Sequence, residues 1–239
     1  MNRLEFIHTG LAIVGLSHFE PDKSMNTDPQ LLIGKGSPKL VGKNYALLAE
    51  ADKAFQEMSA AAQKQGVALK VVSSYRSFEK QKSIWNRKFL RFKSQGMSDR
   101  AAVAKIIEYS TLPGTSRHHW GTDIDIIDAG PAEEDDVLLA QKFHGNGPYN
   151  SLREWMEIYA QDYGFLLPYT KDENRSGFKY EPWHYSYAPK SIPMLRQYIK
   201  LDQEGLIFST DLKGGSGLDQ EFLTSYIKSH VMGINPSLL

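Results

Sequence analysis

Ser116-Arg117-His118-His119-Trp120-Gly121-Thr122-Asp123-Ile124-Asp125 is the stretch on which the reading of this chain turns. Gly121 divides a polar, histidine-bearing turn from an alternating run of aspartate and isoleucine. Asp123 and Asp125 stand two apart, so on a strand both face the same way. Ile124, Ile126 and Ile127 mark that strand as buried. An unpaired carboxylate in such a strand is costly, so at least one of the two is expected to be functional. A chain that turns at Gly121 and then extends brings His118 and either aspartate to one point.

The second informative stretch is Glu181-Pro182-Trp183-His184. Pro182 rules out a regular helix interior, so this is not a helical H-E-x-x-H metal-binding pair. In a bent, extended segment Glu181 and His184 can still flank one metal. By itself, a Trp-His pair reads as a packed tryptophan beside a hydrogen-bonded histidine. Taken with the first stretch, it completes two histidines, one carboxylate ligand and a separate glutamate. A catalytic zinc site needs that inventory: three protein ligands and one open position for water. The chain has no cysteine, so a metal here must be held by histidine and carboxylate.

A third polar cluster runs from Ser73 to Gln81. Arg76, at the end of the strand predicted over 67–74, can reach a cleft. Its planar fork suits a carboxylate or a developing oxyanion. A structural ion pair would satisfy it equally well.

Working outward, Leu48, Ala51, Phe55, Met58 and Ala62 form one apolar helical stripe, stopped by Gly66. Val67, Leu69 and Val71 alternate as in a strand. A second helix is expected over 77–93, with Phe78, Trp85, Phe89 and Phe92 inward. Ser98 is placed to cap a short helix reaching Tyr109. Residues 128–150 read as an acidic surface loop. A helix over 151–163 ends at Gly164. Strands are expected over 165–169 and 178–187, and the tail from Ser191 should be helical around Gly214–Gly217. The fold class is therefore α+β.

With 41% hydrophobic and 23% charged residues, the 239-residue chain has an ordinary globular composition. Its formal net charge is zero, which offers no electrostatic footprint for nucleic acid. No stretch approaches the roughly 20 apolar residues of a transmembrane segment. The apolar run Leu11–Leu16 is interrupted on its N-terminal side by Glu5 and His8 and reads as part of the fold, not as a signal peptide.

The three motifs together resemble those of the LAS metallopeptidases, and among them the VanY-type D-alanyl-D-alanine carboxypeptidases and their L,D-carboxypeptidase relatives. The pattern S-x-H-x-x-G-x-x-x-D falls on Ser116, His118, Gly121 and Asp125. E-x-x-H falls on Glu181 and His184, with Trp183 before the histidine. Y-R-S-x-x-x-Q falls on Tyr75, Arg76, Ser77 and Gln81. The resemblance spans roughly 40–190. It implies a small antiparallel sheet with flanking helices and a zinc site in a cleft, the LAS/hedgehog-like fold. It implies a lead-in over 1–39, a zinc carboxypeptidase domain over 40–190, and a helical C-terminal extension over 191–239 packed on the same domain.

By the same resemblance His118, Asp125 and His184 hold Zn²⁺, Glu181 activates water, and Arg76 stabilises the reacting carbonyl. Ser116 and Gln81 contact the substrate's C-terminal residue, and Tyr169 lines the cleft. His119, His144 and His230 match no motif and read as structural or exposed. Asp123 stands where the family often carries a small residue. With Asp125 as ligand, removal of Asp123 is expected to leave zinc in place at a modest cost in activity, and removal of Asp125 to lose the metal. The implied partner is a peptidoglycan stem peptide or precursor, the implied place is the bacterial envelope, and the implied reaction is removal of a C-terminal D-alanine. An L,D-carboxypeptidase or endopeptidase uses the same scaffold. A zinc-containing wall-binding module, like the hedgehog signalling domain, need not retain Glu181 and Arg76, and this chain has both.

Overall fold

The structure, a computed structural model, describes residues 27–131, 136–202 and 212–239. The run Leu11–Leu16 lies outside them. Four strands form one antiparallel sheet in the order β1 (Leu69–Ser73), β2 (Asp123–Asp128), β4 (His184–Tyr187), β3 (Phe165–Leu166). Around it lie α1 (Pro29–Leu32), α2 (Ala49–Lys64), α3 (Phe78–Ser94), α4 (Asp99–Ile106), α5 (Asn150–Tyr159), α6 (Ala188–Tyr198) and α7 (Gln220–Tyr226).

The helices form where period and caps agree. The α2 stripe buries Ala51, Phe55, Met58 and Ala62, at roughly 1.5–3 kcal/mol for each large side chain. Ser77 caps α3 by accepting from the Lys80 N–H, and Ser98 caps α4 through the Ala101 N–H. The α4 helix stops at Ile106, short of the expected Tyr109, which is exposed.

Two clusters make the core. One packs the isoleucines of β2 against α2 and α5, with Phe55, Ile124, Ile126, Leu152 and Trp155. The other joins Leu32, Trp85, Phe89, Ile106, Tyr198 and Tyr226, drawn from α1, α3, α4, α6 and α7. That second cluster takes residues from 27–39, from 40–190 and from 191–239 alike.

Two expectations change. The strands read over 165–169 and 178–187 shrink to β3 and β4, because Pro168 and Pro182 cannot continue a hydrogen-bonded ladder. The expected surface loop over 128–150 buries Phe143 and Tyr149. Phe143 packs on Trp183, with ring centroids 5.7 Å apart, so this loop covers the E-P-W-H segment.

Candidate metal centre

The sheet register sets the site. Asp125 pairs with His184 across β2 and β4, and Asp123 pairs with Ser186. Directly opposed residues project to the same face with Cβ atoms about 4.5–5.5 Å apart. So Asp123, Asp125, His184 and Ser186 share one face of the sheet, and Ile124 and Tyr185 point into the core on the other.

Two turns bring the remaining groups onto that face. Glu181-Pro182-Trp183-His184 is a tight turn, closed by the His184 N–H donating to the Glu181 carbonyl at 3.1 Å. Proline stands at its second position, where its fixed φ is already correct. The turn lays Glu181 over His184, with Oε2 3.2 Å from Nδ1. A short 3-10 turn at Arg117–Trp120 delivers His118. It ends at Gly121 with φ of 67°, where an added Cβ would lie 2.7 Å from Leu40. The strand of residues entering β2 therefore depends on a glycine there.

His118, Asp125 and His184 are all buried, and each offers one ligand atom within 4.8 Å of the other two. His118 Nε2 lies 3.3 Å from Asp125 Oδ2, and His184 Nδ1 lies 3.4 Å from Asp125 Oδ1. These match the edge of about 3.4 Å expected between tetrahedral ligands on bonds of about 2.1 Å. Asp125 Oδ1 is buried without a hydrogen bond, an orphan that a cation would satisfy. By donor chemistry and spacing, the three residues fit a zinc ion.

Asp123 lies on the far side of His184. Its Oδ2 is 2.9 Å from His184 Nε2 and accepts from Arg117 Nε at 3.0 Å. Its Oδ1 accepts from Ser186 Oγ at 2.8 Å and Thr122 Oγ1 at 2.7 Å. Arg117 Nη2 also donates to Ser186 Oγ at 2.6 Å. A proton on Nε2, shared with Asp123, leaves the Nδ1 lone pair facing Asp125 and Glu181. Asp123 is therefore bonded to a candidate metal ligand, His184, as well as to Arg117, Ser186 and Thr122. Sequence reading missed Arg117 and Ser186. The available signal was the strand period, which puts Ser186 on the His184 face, and the need of a second buried carboxylate for a cation.

Electrostatics follow the burial. Burial raises the Asp125 carboxyl, but His118, His184 and Arg76 outweigh it and hold it well below the usual range. Burial would depress His184, yet its bonds to Asp123 and Glu181 lift it to about 9; without a metal the ring thus also holds a proton on Nδ1, which a metal bound there would displace. Burial lowers His118, favouring the neutral ring. Burial raises Glu181 above an ordinary glutamate, partly opposed by His184.

Arg76 is held by its backbone N–H to the His118 carbonyl at 3.1 Å. Its Nη2 donates to Asp125 Oδ2 at 2.8 Å and approaches His118 Nε2 at 3.2 Å. Ser116, Tyr169, Glu181 and Arg76 line a cavity of 630 Å³ that also reaches the three candidate ligands. Tyr169 stands edge-on to His184, with centroids 5.0 Å apart. Gln81 does not line it. It is fully buried, donating to the Thr111 carbonyl at 2.9 Å and accepting from Arg76 Nη1 at 3.4 Å. His119 is structural: one nitrogen contacts the Arg76 carbonyl at 2.6 Å, and the other accepts from the Gly114 N–H at 3.1 Å.

A family profile described as VanY, D-alanyl-D-alanine carboxypeptidase, matches residues 44–190. The chain belongs to the VanY family. It is 32% identical over 134 residues to a D-alanyl-D-alanine carboxypeptidase of Enterococcus faecalis, covering 56% of this chain and 45% of that protein. Among solved structures, VanYB in complex with D-alanine-D-alanine aligns at TM-score 0.52 and 25% identity, over 70% of this chain and 91% of that one. A mutant D,D-pentapeptidase VanY from a VanB-type resistance cassette, in complex with Zn(II), aligns at 0.51 and 25%, over 68% and 83%. The chain spans about half the length of the curated VanY-type relatives it matches.

Proposed function

We propose that this chain is a zinc-dependent carboxypeptidase that removes the C-terminal D-alanine from peptidoglycan stem peptides. The observation that carries this is the convergence of His118, Asp125 and His184 on one face of the sheet, with Glu181 beside them in an open cavity. The Zn(II) and D-alanine-D-alanine complexes of its structural neighbours support the choice of metal and substrate.

Zinc bound by the three residues supplies Lewis-acid polarisation and makes a water more acidic. Glu181, its carboxyl raised by burial, accepts the proton of the attacking water and passes it to the leaving amine. Arg76 points its guanidinium into the same space and offers donors to the oxygen on which charge develops. Gln81 acts through Arg76, which it helps to hold. Ser116 and Tyr169 shape the wall against which the peptide lies, and Asp123 with Arg117 fixes the ring of His184.

Defined tri-, tetra- and pentapeptide stems, digested with mass detection of the products, test this reading. Loss of a single D-alanine from the stem ending in D-Ala-D-Ala is expected. Loss of D-alanine only from the tetrapeptide would make the enzyme an L,D-carboxypeptidase. Cleavage only at an internal bond would make it an endopeptidase.

A further inference from the structure

A carboxypeptidase must recognise a free carboxylate, and the two arginines beside the candidate ligands are already engaged. Arg117 lies sealed beneath the site on Asp123 and Ser186. Arg76 spends its fork on Asp125, Ser73 and Gln81. Lys80 and Arg87 line the cavity from its exposed rim. Lys88 differs from all of these. It is partly buried, lines the same cavity, and among the described residues touches no carboxylate. Its ammonium donates only to the hydroxyl of Ser110, at 2.5 Å.

An ammonium withdrawn from water without a counter-ion is unfavourable. Burial accordingly lowers the Lys88 pKa, and only the nearby charge of Glu181 opposes it. Lys88 lines the same cavity as Glu181 and Arg76. Ser110 is buried, and its oxygen already accepts from Lys88. Its own proton remains available to an incoming oxygen. One turn earlier on α3, Ile84 presents an apolar side chain to the same cavity. An apolar surface followed by an unpaired cation and a hydroxyl complements a small apolar residue ending in a carboxylate.

Resting on the carboxypeptidase reading, we infer that Lys88, supported by Ser110, binds the free terminal carboxylate of the peptide and makes the enzyme an exopeptidase. Lys88 is thus a specificity-determining residue, and Arg76 need not bind the terminal carboxylate as well.

Two measurements test this, using a blocked tripeptide ending in D-Ala-D-Ala, as the acid and as its C-terminal amide. In turnover, Lys88→Met is expected to raise KM for the acid about ten- to hundredfold, as loss of a charge-assisted hydrogen bond implies. The amide kinetics and the zinc content should not change, and Lys88→Arg should recover most of the loss. An equal effect on acid and amide would assign Lys88 a structural role. An unchanged KM for the acid would place the carboxylate elsewhere. In calorimetry with the dipeptides D-Ala-D-Ala and D-Ala-D-alaninamide, the wild type should prefer the acid at least about tenfold, and Lys88→Met should not. That binding readout needs no turnover. A lysine-dependent acid preference without D-alanine release would retain this inference and overturn the carboxypeptidase reading. An acid preference that survives Lys88→Met would do the reverse.

Discussion

The two walls of the cleft differ in how their charges are settled. On the sheet wall Asp123, Asp125, His118, His184 and Arg117 are buried and linked to one another at 2.9–3.3 Å, with the Ser186 hydroxyl 2.8 Å from Asp123. On the α3 wall Lys80, Arg87 and Lys88 face the cavity and, among the described residues, find no carboxylate. On the sheet wall Asp125 Oδ1 is buried without a hydrogen bond, at the point where the candidate ligands converge. On the helical wall Lys80 and Arg87 are exposed, whereas Lys88 is partly withdrawn from water with only the Ser110 hydroxyl beside it. A buried charge is stable only when paired, so the two deficits point to a metal on one side and an acidic peptide terminus on the other.

The largest expected effect tests the sheet wall. One zinc should bind per chain, and His184→Ala should lose most of it, because two remaining ligands cannot hold the ion in place of three. Metal analysis after dialysis measures this. Full occupancy in that variant would remove His184 from the ligand set.

Next is a separation within that wall. Glu181→Gln retains size and loses basicity. Zinc should stay, and turnover should fall by roughly 10²–10⁴. A variant that turns over normally with zinc bound would show that the base lies elsewhere.

Asp123 sharpens the contrast further, since it is not one of the three candidate ligands. Asp123→Asn keeps an acceptor for His184 Nε2 but discards the charge. Zinc affinity, read by competition with a chelating dye, is expected to weaken roughly 10–100-fold. Circular dichroism on the same sample checks that the fold survives an unpaired Arg117. Unchanged affinity would reduce the Asp123 network to packing.

The same contrast explains what the sequence revealed. Metal ligands must be placed by backbone geometry, so their spacing is written locally. His118 to Asp125 crosses one glycine turn, and Glu181 to His184 closes one proline turn. The opposition of Asp125 and His184 was not legible, because register is a long-range property of β2 and β4. Nor was the pairing of Asp123 with Arg117, which depends on how the 3-10 turn folds back over the strand. Two prolines ended the strands earlier than their apolar content suggested. Gln81 shares its α3 face with Lys88 two turns on, and only the structure shows that one is sealed in and the other looks into the cleft. Burial of a helix residue depends on what packs against it, here the 109–116 segment, and no local pattern encodes that.

That segment supports the smallest prediction. The Tyr226 hydroxyl on α7 accepts from the Leu112 N–H at 3.1 Å and lies 3.1 Å from Thr115 Oγ1. These bonds tie the C-terminal helix to the loop that carries Ser110 and Ser116. Tyr226→Phe leaves the ring stack on His230, at 4.8 Å, and removes only the hydroxyl. The Leu112 N–H is then buried without a partner, at a cost of about 1–2 kcal/mol. Denaturant unfolding should show that loss. Zinc affinity should not move, because no atom of the sheet wall touches Tyr226, whereas KM for the acid substrate should rise as Ser110 loosens. A parallel loss of zinc affinity would mean that the two walls are one mechanical unit and that their contrast is electrostatic alone.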